Sequence, residues 1–224
     1  MNGAELTGQV RSHIADLDLP KCALHSQVVA PFLNLRRAAW ADGFELAPQS
    51  SFRDFARQLT IWNGKFSGVR AMQDAAGRPI EVGGLSPRDR VEAILLWSAL
   101  PGASRHHWGT DLDLIDARAT PAGYQVQLTP GEFAPGGPYA ALGDWLEINA
   151  ARFGFFRPFR GVRSGVQPEP WHFSFAPVAE NARRALTPAV LRRAIEAAPL
   201  LGKEEVLEML EELHARYIEA IDWP

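Results

Sequence analysis

The chain has 224 residues and a formal net charge of −3, with 46% apolar and 22% charged residues. These values are typical of a globular protein, and the length fits one domain or one and a half with ample residues for a core. No basic stripe stands out, so the charge gives no case for nucleic-acid binding. No apolar run approaches the ~20 residues that span a bilayer. The single cysteine, Cys22, excludes an internal disulfide and a thiolate zinc site, and we expect it in the core.

The first 25 residues carry an apolar stripe at helical spacing, formed by Leu6, Val10, Ile14 and Leu17. This spacing predicts an N-terminal helical segment over residues 1–25. The segment has no basic region followed by an apolar one, as a signal peptide would, which favours a cytoplasmic protein. A chain from which a signal peptide had been removed would look the same.

Helices alternate with short extended pieces along the rest of the chain, without repeats or low-complexity tracts. Ser26 is predicted to cap a helix that runs to Ala41, and Ser86 with Pro87 marks the start of a helix that runs to Leu100. The other predicted segments are an extended piece at 44–52, helices within 53–62 and around 142–149, loops at 130–138 and 158–170, and a long amphipathic helix around 206–217.

The stretch "SRHHWGTDLDL", residues 104–114, packs two histidines and two acids around one glycine. Asp111 and Asp113 alternate with leucines, which is the period-2 pattern of a strand with one polar and one apolar face. Gly109 precedes this strand, where a tight turn needs a residue without a β-carbon. His106 therefore lies on the other limb of a turn and can face Asp113 across it.

The stretch "EPWHFSF", residues 169–175, repeats the design. His172 alternates with Trp171 and Phe173, so it points away from an aromatic face that must be buried. Glu169 lies three residues earlier and would be the base that takes a proton from water. It is flanked by two prolines, so this spacing cannot lie inside a helix. The helical HExxH zinc motif is absent from the chain.

Two histidines and one aspartate make the ligand set of a catalytic zinc site, which keeps one position open. His106, Asp113 and His172 supply that set, and Asp111 is an alternative ligand because it shares the face of Asp113. His107 would point to the opposite face, and we expect it behind the ligands or toward a substrate. We expect the other histidines to be ordinary surface or core residues: His13, His25 and His214.

Three motifs together resemble those of the VanY-type D-alanyl-D-alanine carboxypeptidases, a family grouped with lysostaphin-type endopeptidases and the hedgehog domain. The first is Ser104-x-His106-x-x-Gly109-x-x-x-Asp113, and the second is Glu169-x-x-His172. The third, in "SSFRDFARQ", consists of Phe52, Arg53 and Gln58. One departure is Asp111, where the family usually has a small residue.

The resemblance covers roughly residues 26–176 and implies an α+β fold. In this fold a small antiparallel sheet carries a zinc site in a cleft, and helices pack on the back face of the sheet. We therefore expect a zinc peptidase core over residues 26–180. Residues 181–224 are expected to add C-terminal helices that pack on this core.

The resemblance also implies the role of each matched residue. Zn²⁺ would be held by His106, Asp113 and His172, with Glu169 as the general base. Arg53 would stabilise the charge that develops on the carbonyl oxygen or bind the substrate's terminal carboxylate, since its guanidinium stays charged. The alternative for Arg53 is a surface ion pair with Asp54 or Asp89. The other expected substrate contacts are Ser104, Gln58, Asp111, His107 and Trp171.

The implied substrate is a peptidoglycan stem peptide or muropeptide, with no nucleic acid or membrane partner. Without a signal peptide, we favour an L,D-carboxypeptidase that removes the terminal D-alanine of tetrapeptides in cell-wall recycling. The alternatives are a D,D-carboxypeptidase acting on pentapeptides, a phage-type endolysin, and a non-catalytic hedgehog-like zinc module. Retention of Glu169 and Arg53 argues against the last, because a structural zinc needs neither residue.

Overall fold

A computed structural model describes residues 1–161 and 165–224 of the chain. Its strands are β1 (Ile14–Asp18), β2 (Lys21–His25), β3 (Leu46–Ser50), β4 (Met72–Gln73), β5 (Pro79–Ile80), β6 (Asp111–Asp116), β7 (Phe155–Phe156) and β8 (His172–Phe175). Its α-helices are α1 (Gly3–Leu6), α2 (Val29–Ala41), α3 (Phe55–Phe66), α4 (Pro87–Leu95), α5 (Pro130–Phe133), α6 (Ala140–Asn149), α7 (Ala176–Ala185), α8 (Pro188–Ala197), α9 (Lys203–Glu208) and α10 (Leu210–His214). None of the helices in the described ranges has the length and apolar character that crossing a membrane requires.

A four-stranded antiparallel sheet with the order β3-β6-β8-β7 forms the centre of the fold. Alternation along β6 and β8 sends Leu112, Leu114 and Phe173 into an apolar core. Helices α2 and α6 cover that face, with Phe32 and Leu146 fully buried against it. The polar residues of both strands therefore lie on the opposite face. This arrangement confirms the predicted α+β class with a small antiparallel sheet and helices behind it.

A second core lies among the helices and includes the C-terminal ones. Trp62 of α3, Ile94 of α4, Leu191 of α8 and Leu210 of α10 pack in it, each almost completely buried. The indole nitrogen of Trp62 donates a hydrogen bond to the carbonyl of Leu201, 3.0 Å away. Helices from the middle and the end of the chain thus share one apolar interior.

The predicted N-terminal helix is wrong beyond its first turn. Only Gly3–Leu6 is helical, and β1 and β2 pair as an antiparallel hairpin. Pro20 lies between the two strands and would break a helix through this region. Burial alternates along β2, which places Cys22 in the sheet core as expected and raises the pKa of its thiol to about 11.

Several predicted helix boundaries are also corrected. Helix α2 begins at Val29 rather than after Ser26, because residues 25–28 form a turn in which the Val28 amide donates to the His25 carbonyl. Ser86 caps α4 as predicted, but the helix ends at Leu95. The proline at position 101 disfavours a helical conformation before it. The predicted helix around 206–217 is divided into α9, α10 and a π-helical turn at Ala215–Glu219.

Candidate metal centre and active site

The register of the sheet places the predicted ligands side by side. Asp113 of β6 is directly opposite His172 of β8. His106 lies on a 3₁₀ turn, Arg105–Trp108, that ends at Gly109, whose φ of 66° reverses the chain toward β6. Ligand atoms of His106, Asp113 and His172 all lie within 4.8 Å of one another. The structure thus brings together two histidines and a carboxylate from three separate positions in the sequence.

The spacing of these atoms fits a tetrahedral zinc ion. His106 Nε2 is 3.5 Å from Asp113 Oδ2, and His172 Nδ1 is 3.4 Å from Asp113 Oδ1. Zinc–ligand bonds of 2.0–2.2 Å at tetrahedral angles separate donor atoms by about 3.4 Å. Asp113 Oδ1 is buried without a hydrogen-bond partner among the described residues. A cation bound between the three side chains would satisfy this oxygen, so the residues fit a zinc ion.

Hydrogen bonds behind the histidines orient both rings. His106 Nδ1 donates to the Ser51 carbonyl at 2.9 Å, which leaves the Nε2 lone pair facing Asp113. His172 Nε2 donates to Asp111 Oδ1 at 2.8 Å, which turns Nδ1 toward Asp113. Burial lowers the pKa of His172, but its hydrogen bonds with Asp111 and Glu169 outweigh this effect and raise the pKa to about 10. A metal must therefore displace a proton from His172, as metal ligation generally requires.

Asp111 lies behind His172 and supports its ring. The expectation that Asp111 contacts the substrate is therefore corrected. It is fully buried, and its carboxylate also accepts hydrogen bonds from Arg105, Thr110 and Ser174. Burial raises the pKa of Asp111, but Arg105 and the hydrogen bond from His172 outweigh it, and the pKa falls below its usual range. A carboxylate that fixes the far nitrogen of a metal-binding histidine is a common arrangement around zinc.

Arg105 stands behind Asp111, and the sequence did not point to it. Its Nε donates to Asp111 Oδ1 at 2.8 Å, and its guanidinium lies 4.8 Å from the centroid of the Trp108 ring. The extra acid at position 111 was the available signal, because a buried carboxylate needs a cationic partner. Arg105, inside the same motif, was the nearest cation in the sequence.

Glu169 lies beside His172 and lines the same cavity as the three candidate ligands. Its Oε2 is 3.0 Å from His172 Nδ1. As predicted, it lies outside any helix, on a turn in which the His172 amide donates to the Glu169 carbonyl. Its carboxylate thus stands next to the ligand cluster, in reach of a water molecule there.

Arg53 extends along the cavity wall beside the ligands and is held by neutral groups. Nη1 donates to Gln58 Oε1 at 2.8 Å, and Nη2 donates to Ser50 Oγ at 3.2 Å. The two acids considered as ion-pair partners of Arg53 bind other groups. Asp54 caps α3, and Asp89 accepts a hydrogen bond from the Ser86 hydroxyl. Burial lowers the pKa of Arg53, whereas Asp113 and Glu169 oppose this shift. Arg53, Asp113 and Glu169 line the same cavity.

Gln58 lies behind Arg53 instead of contacting the cavity. Its side chain is fully buried, and Nε2 donates to the Ala99 carbonyl at 2.7 Å. The expected substrate contact is therefore corrected, because both ends of the amide are already engaged within the protein. Gln58 instead fixes the position of the Arg53 guanidinium.

His107 is likewise turned away from the cavity. Its Nδ1 donates to the Arg53 carbonyl, and its Nε2 accepts from the Gly102 amide at 3.1 Å. Its ring is fully buried and stacks on Phe55. Burial is the main cause that lowers the pKa of His107, to about 4. The prediction that it faces the substrate is corrected, because the backbone contacts occupy both nitrogens.

A cavity of about 490 Å³ opens over the ligand cluster. Ser104 and Trp171 line it together with Arg53, Glu169 and Lys65. Trp171 precedes β8 and packs against Phe133 rather than in the core behind the sheet. The remaining histidines use ring nitrogens in hydrogen bonds to backbone groups: His13, His25 and His214.

Comparison with known proteins agrees with this geometry. The family model described as VanY, D-alanyl-D-alanine carboxypeptidase, matches residues 21–178. The chain belongs to the VanY family. The family resemblance carried by the three motifs is therefore confirmed, and membership supports a carboxypeptidase function of the VanY type.

Relatives of this VanY chain include a D-alanyl-D-alanine carboxypeptidase of Enterococcus faecalis. That protein is 28% identical over 151 residues, which are 66% of this chain and 46% of the relative. An uncharacterised protein of Haemophilus influenzae is 37% identical over 121 residues, which are 53% of this chain and 92% of the relative.

Two solved structures share the fold. VanYB in complex with D-Alanine-D-Alanine aligns with a TM-score of 0.55 at 20% identity, covering 84% of this chain and 91% of that one. A vancomycin-resistance D,D-pentapeptidase VanY in complex with Zn(II) aligns with a TM-score of 0.54 at 21% identity, covering 88% and 91%. At these identities the likeness establishes the fold.

Proposed function

We propose that this VanY chain is a zinc-dependent carboxypeptidase that removes the C-terminal D-alanine from peptidoglycan stem peptides. The observation that carries the proposal is the arrangement around one cavity. One candidate ligand atom from each of His106, Asp113 and His172 lies within 4.8 Å of the other two, and Glu169 Oε2 is 3.0 Å from Nδ1 of His172. Arg53 lines the same cavity and adds a positive charge to this arrangement.

The chain's own residues supply the proton transfers and the positioning. Glu169 accepts a proton from the attacking water and returns it to the leaving amine nitrogen. Arg53, held by Gln58 and Ser50, donates to the carbonyl oxygen as negative charge develops on it. When bound, a zinc ion supplies Lewis acidity at this position and lowers the pKa of water to about 7.

Two stem peptides are candidate substrates. The sequence favours the tetrapeptide, and this stays a prediction. The description of the family favours a pentapeptide that ends in D-alanyl-D-alanine. Mass spectrometry of products from both muropeptides, incubated with zinc-loaded protein, distinguishes the two. Cleavage inside the stem peptide would support an endolysin instead.

The Glu169→Gln variant tests the mechanism. It keeps the length of the side chain but removes the proton acceptor, so we expect kcat to fall by about 10²–10⁴-fold with zinc still bound. Glu180→Gln alters an acid that pairs with Arg184 on α7 and serves as the control. A Glu169→Gln enzyme within a few-fold of the wild type would assign the base to another group. Zinc binding without cleavage of any stem peptide by the wild type would support a hedgehog-like module.

A further inference from the structure

The segment near the C-terminus lies beyond the part of the chain that matches the VanY family, which ends at residue 178. Three of its side chains nevertheless line the cavity over the ligand cluster: His214, Tyr217 and Ile218. A fourth residue of this segment, Asp222, contacts the part of the chain that connects β7 with β8 and carries Glu169. The C-terminal segment is therefore placed to affect the proposed reaction.

Two hydrogen bonds join Asp222 to the backbone on either side of Phe159. Its Oδ2 accepts from the Arg160 amide at 2.9 Å, and its own amide donates to the Pro158 carbonyl at 3.0 Å. The preceding residue, Ile221, is buried in one apolar cluster with the ring of Phe159. One residue of the C-terminal segment thus holds the backbone before and after Phe159.

Phe159 in turn contacts the candidate active site at two points. Its carbonyl accepts a hydrogen bond from the Glu169 amide at 3.0 Å. Its ring meets the His172 ring edge to face, with the centroids 5.0 Å apart and the planes at 74°. The backbone that Asp222 holds is therefore bonded to the proposed base and packs on a candidate metal ligand.

The backbone at Glu169 has little freedom to absorb a displacement of Phe159. Pro168 and Pro170 restrict the torsion angles on both sides of Glu169. A shift of the Phe159 carbonyl is then passed on to the Glu169 carboxylate. A displacement of a reacting group by about 1 Å can lower a rate by about 10²-fold.

We propose that Asp222 is a positioning residue for Glu169 and acts through the backbone at Phe159. The C-terminal segment thereby supports the base of the reaction, although it lies outside the family match. The kinetic consequence rests on the proposed carboxypeptidase function. The structural contact does not, because it can be measured without a substrate.

The Asp222→Ala variant removes the acceptor of the Arg160 amide. Hydrogen exchange, measured by NMR at single amides without a substrate, should be about 3–10-fold faster at Arg160 and Glu169 in this variant. Asp222→Asn keeps an acceptor oxygen and should exchange like the wild type. Glu219, in the same segment, pairs with Arg183 of α7, and Glu219→Gln serves as the control. Unchanged exchange at Glu169 in Asp222→Ala overturns the proposal.

The kinetic test measures cleavage of the stem peptide that the wild type accepts. Asp222→Ala should lower kcat about 10-fold and change KM by less than about 3-fold, because it displaces the base rather than the substrate contacts. In the Glu169→Gln background the same substitution should cause no further loss of kcat, since the base is already absent. Asp222→Asn should restore kcat. An equal loss in both backgrounds would indicate a general disturbance of the cavity and overturns the proposal.

Zinc content and the thermal midpoint show whether each variant is folded. Asp222→Leu, of similar size but without an acceptor, replaces Asp222→Ala if the latter is not folded. A folded variant with the kcat of the wild type overturns the proposal as well. If the wild type cleaves no stem peptide, the proposed function fails, but the exchange rates still decide whether Asp222 holds Glu169 in place.

Discussion

At the scale of single residues, the orientation of the His172 ring depends on a buried ion pair behind it, formed by Asp111 and Arg105. Its Nε2 donates to Asp111, which in turn accepts from Arg105. This chain of hydrogen bonds fixes the ring so that Nδ1 faces Asp113 and Glu169. Asp111, the residue that departs from the usual family pattern, thus holds a candidate metal ligand from behind.

Asp111→Asn is expected to lower zinc affinity by about 10–100-fold, because the variant loses the charge that fixes and polarises His172. It also leaves Arg105 buried without a counter-charge, so we expect a loss of several kcal/mol in the free energy of unfolding. Competition with a chromogenic chelator measures the affinity. Asp116→Asn removes another buried carboxylate of β6, which accepts from the Glu45 amide, and should bind zinc like the wild type. Equal affinities for all three proteins would contradict the support role.

The buried ring of His107 should make the folded protein less stable in acid. Only the neutral ring can donate from Nδ1 to Arg53 and accept at Nε2 from Gly102. Burial lowers its folded pKa to about 4, against 6.5 when unfolded, so the unfolded chain binds more protons between these values. The free energy of unfolding should therefore fall as the pH drops from 6.5 to 4, by about 3 kcal/mol from this group.

The His107→Gln variant isolates this contribution, because glutamine has a donor and an acceptor but does not titrate. Urea unfolding of both proteins in chelator, at several pH values from 7 to 4, gives the two slopes. We expect a shallower slope for the variant below pH 6.5. Parallel curves would show that His107 makes no such contribution.

At the scale of elements, the turn before β6 sets the distance between His106 and Asp113. Gly109 has a φ of 66°, and a β-carbon there would lie 2.5 Å from the backbone nitrogen of His25. The β1–β2 hairpin therefore packs directly on the turn that carries the candidate ligand His106. This contact gives the N-terminal hairpin a role in shaping the site.

Gly109→Ala should lower the free energy of unfolding by more than about 2 kcal/mol and reduce zinc affinity. A left-handed residue with a side chain costs roughly 1 kcal/mol, and the clash with rigid backbone adds to it. Gly123→Ala is the matched control, since φ is 76° there and a β-carbon would meet nothing within 4 Å. Thermal unfolding and chelator competition measure both effects. Equal destabilisation of the two variants would show that the hairpin yields to the added carbon.

At the scale of the whole molecule, the candidate metal site joins parts of the chain that are distant in sequence. The turn with His106, strand β6 and strand β8 meet only in the folded state. A ligand that binds the folded state alone raises the free energy of unfolding, by about 2.7 kcal/mol at a hundred times its dissociation constant.

Zinc at that excess should therefore raise the thermal midpoint of the wild type, and a chelator should reverse the shift. His106→Ala removes a ligand and should lose both the shift and the bound metal, which mass spectrometry of metal content checks. His25→Ala, whose Nδ1 accepts from the Gln27 amide, should keep both. A full zinc-dependent shift in His106→Ala would exclude this residue as a ligand.

The sequence by itself determined the features that depend on neighbouring residues. Alternation in "DLDL" and "HFSF" predicted which side chains face the core, and both strands formed as predicted. The proline and serine at 86–87 predicted the start of α4. The spacing of the three motifs predicted the family. Each of these signals lies within one strand, one cap or one motif, where local geometry decides.

Only the tertiary structure decided how the two acids on one face of β6 are used. Asp111 and Asp113 are equivalent by period, but Arg105 and Ser174 pair with the first, and the second faces both histidines. The same holds for His107, for Gln58 and for the N-terminal hairpin, whose partners are fixed by packing. Side-chain direction follows from the local backbone, whereas the partner across a sheet or cavity depends on contacts between distant parts of the chain.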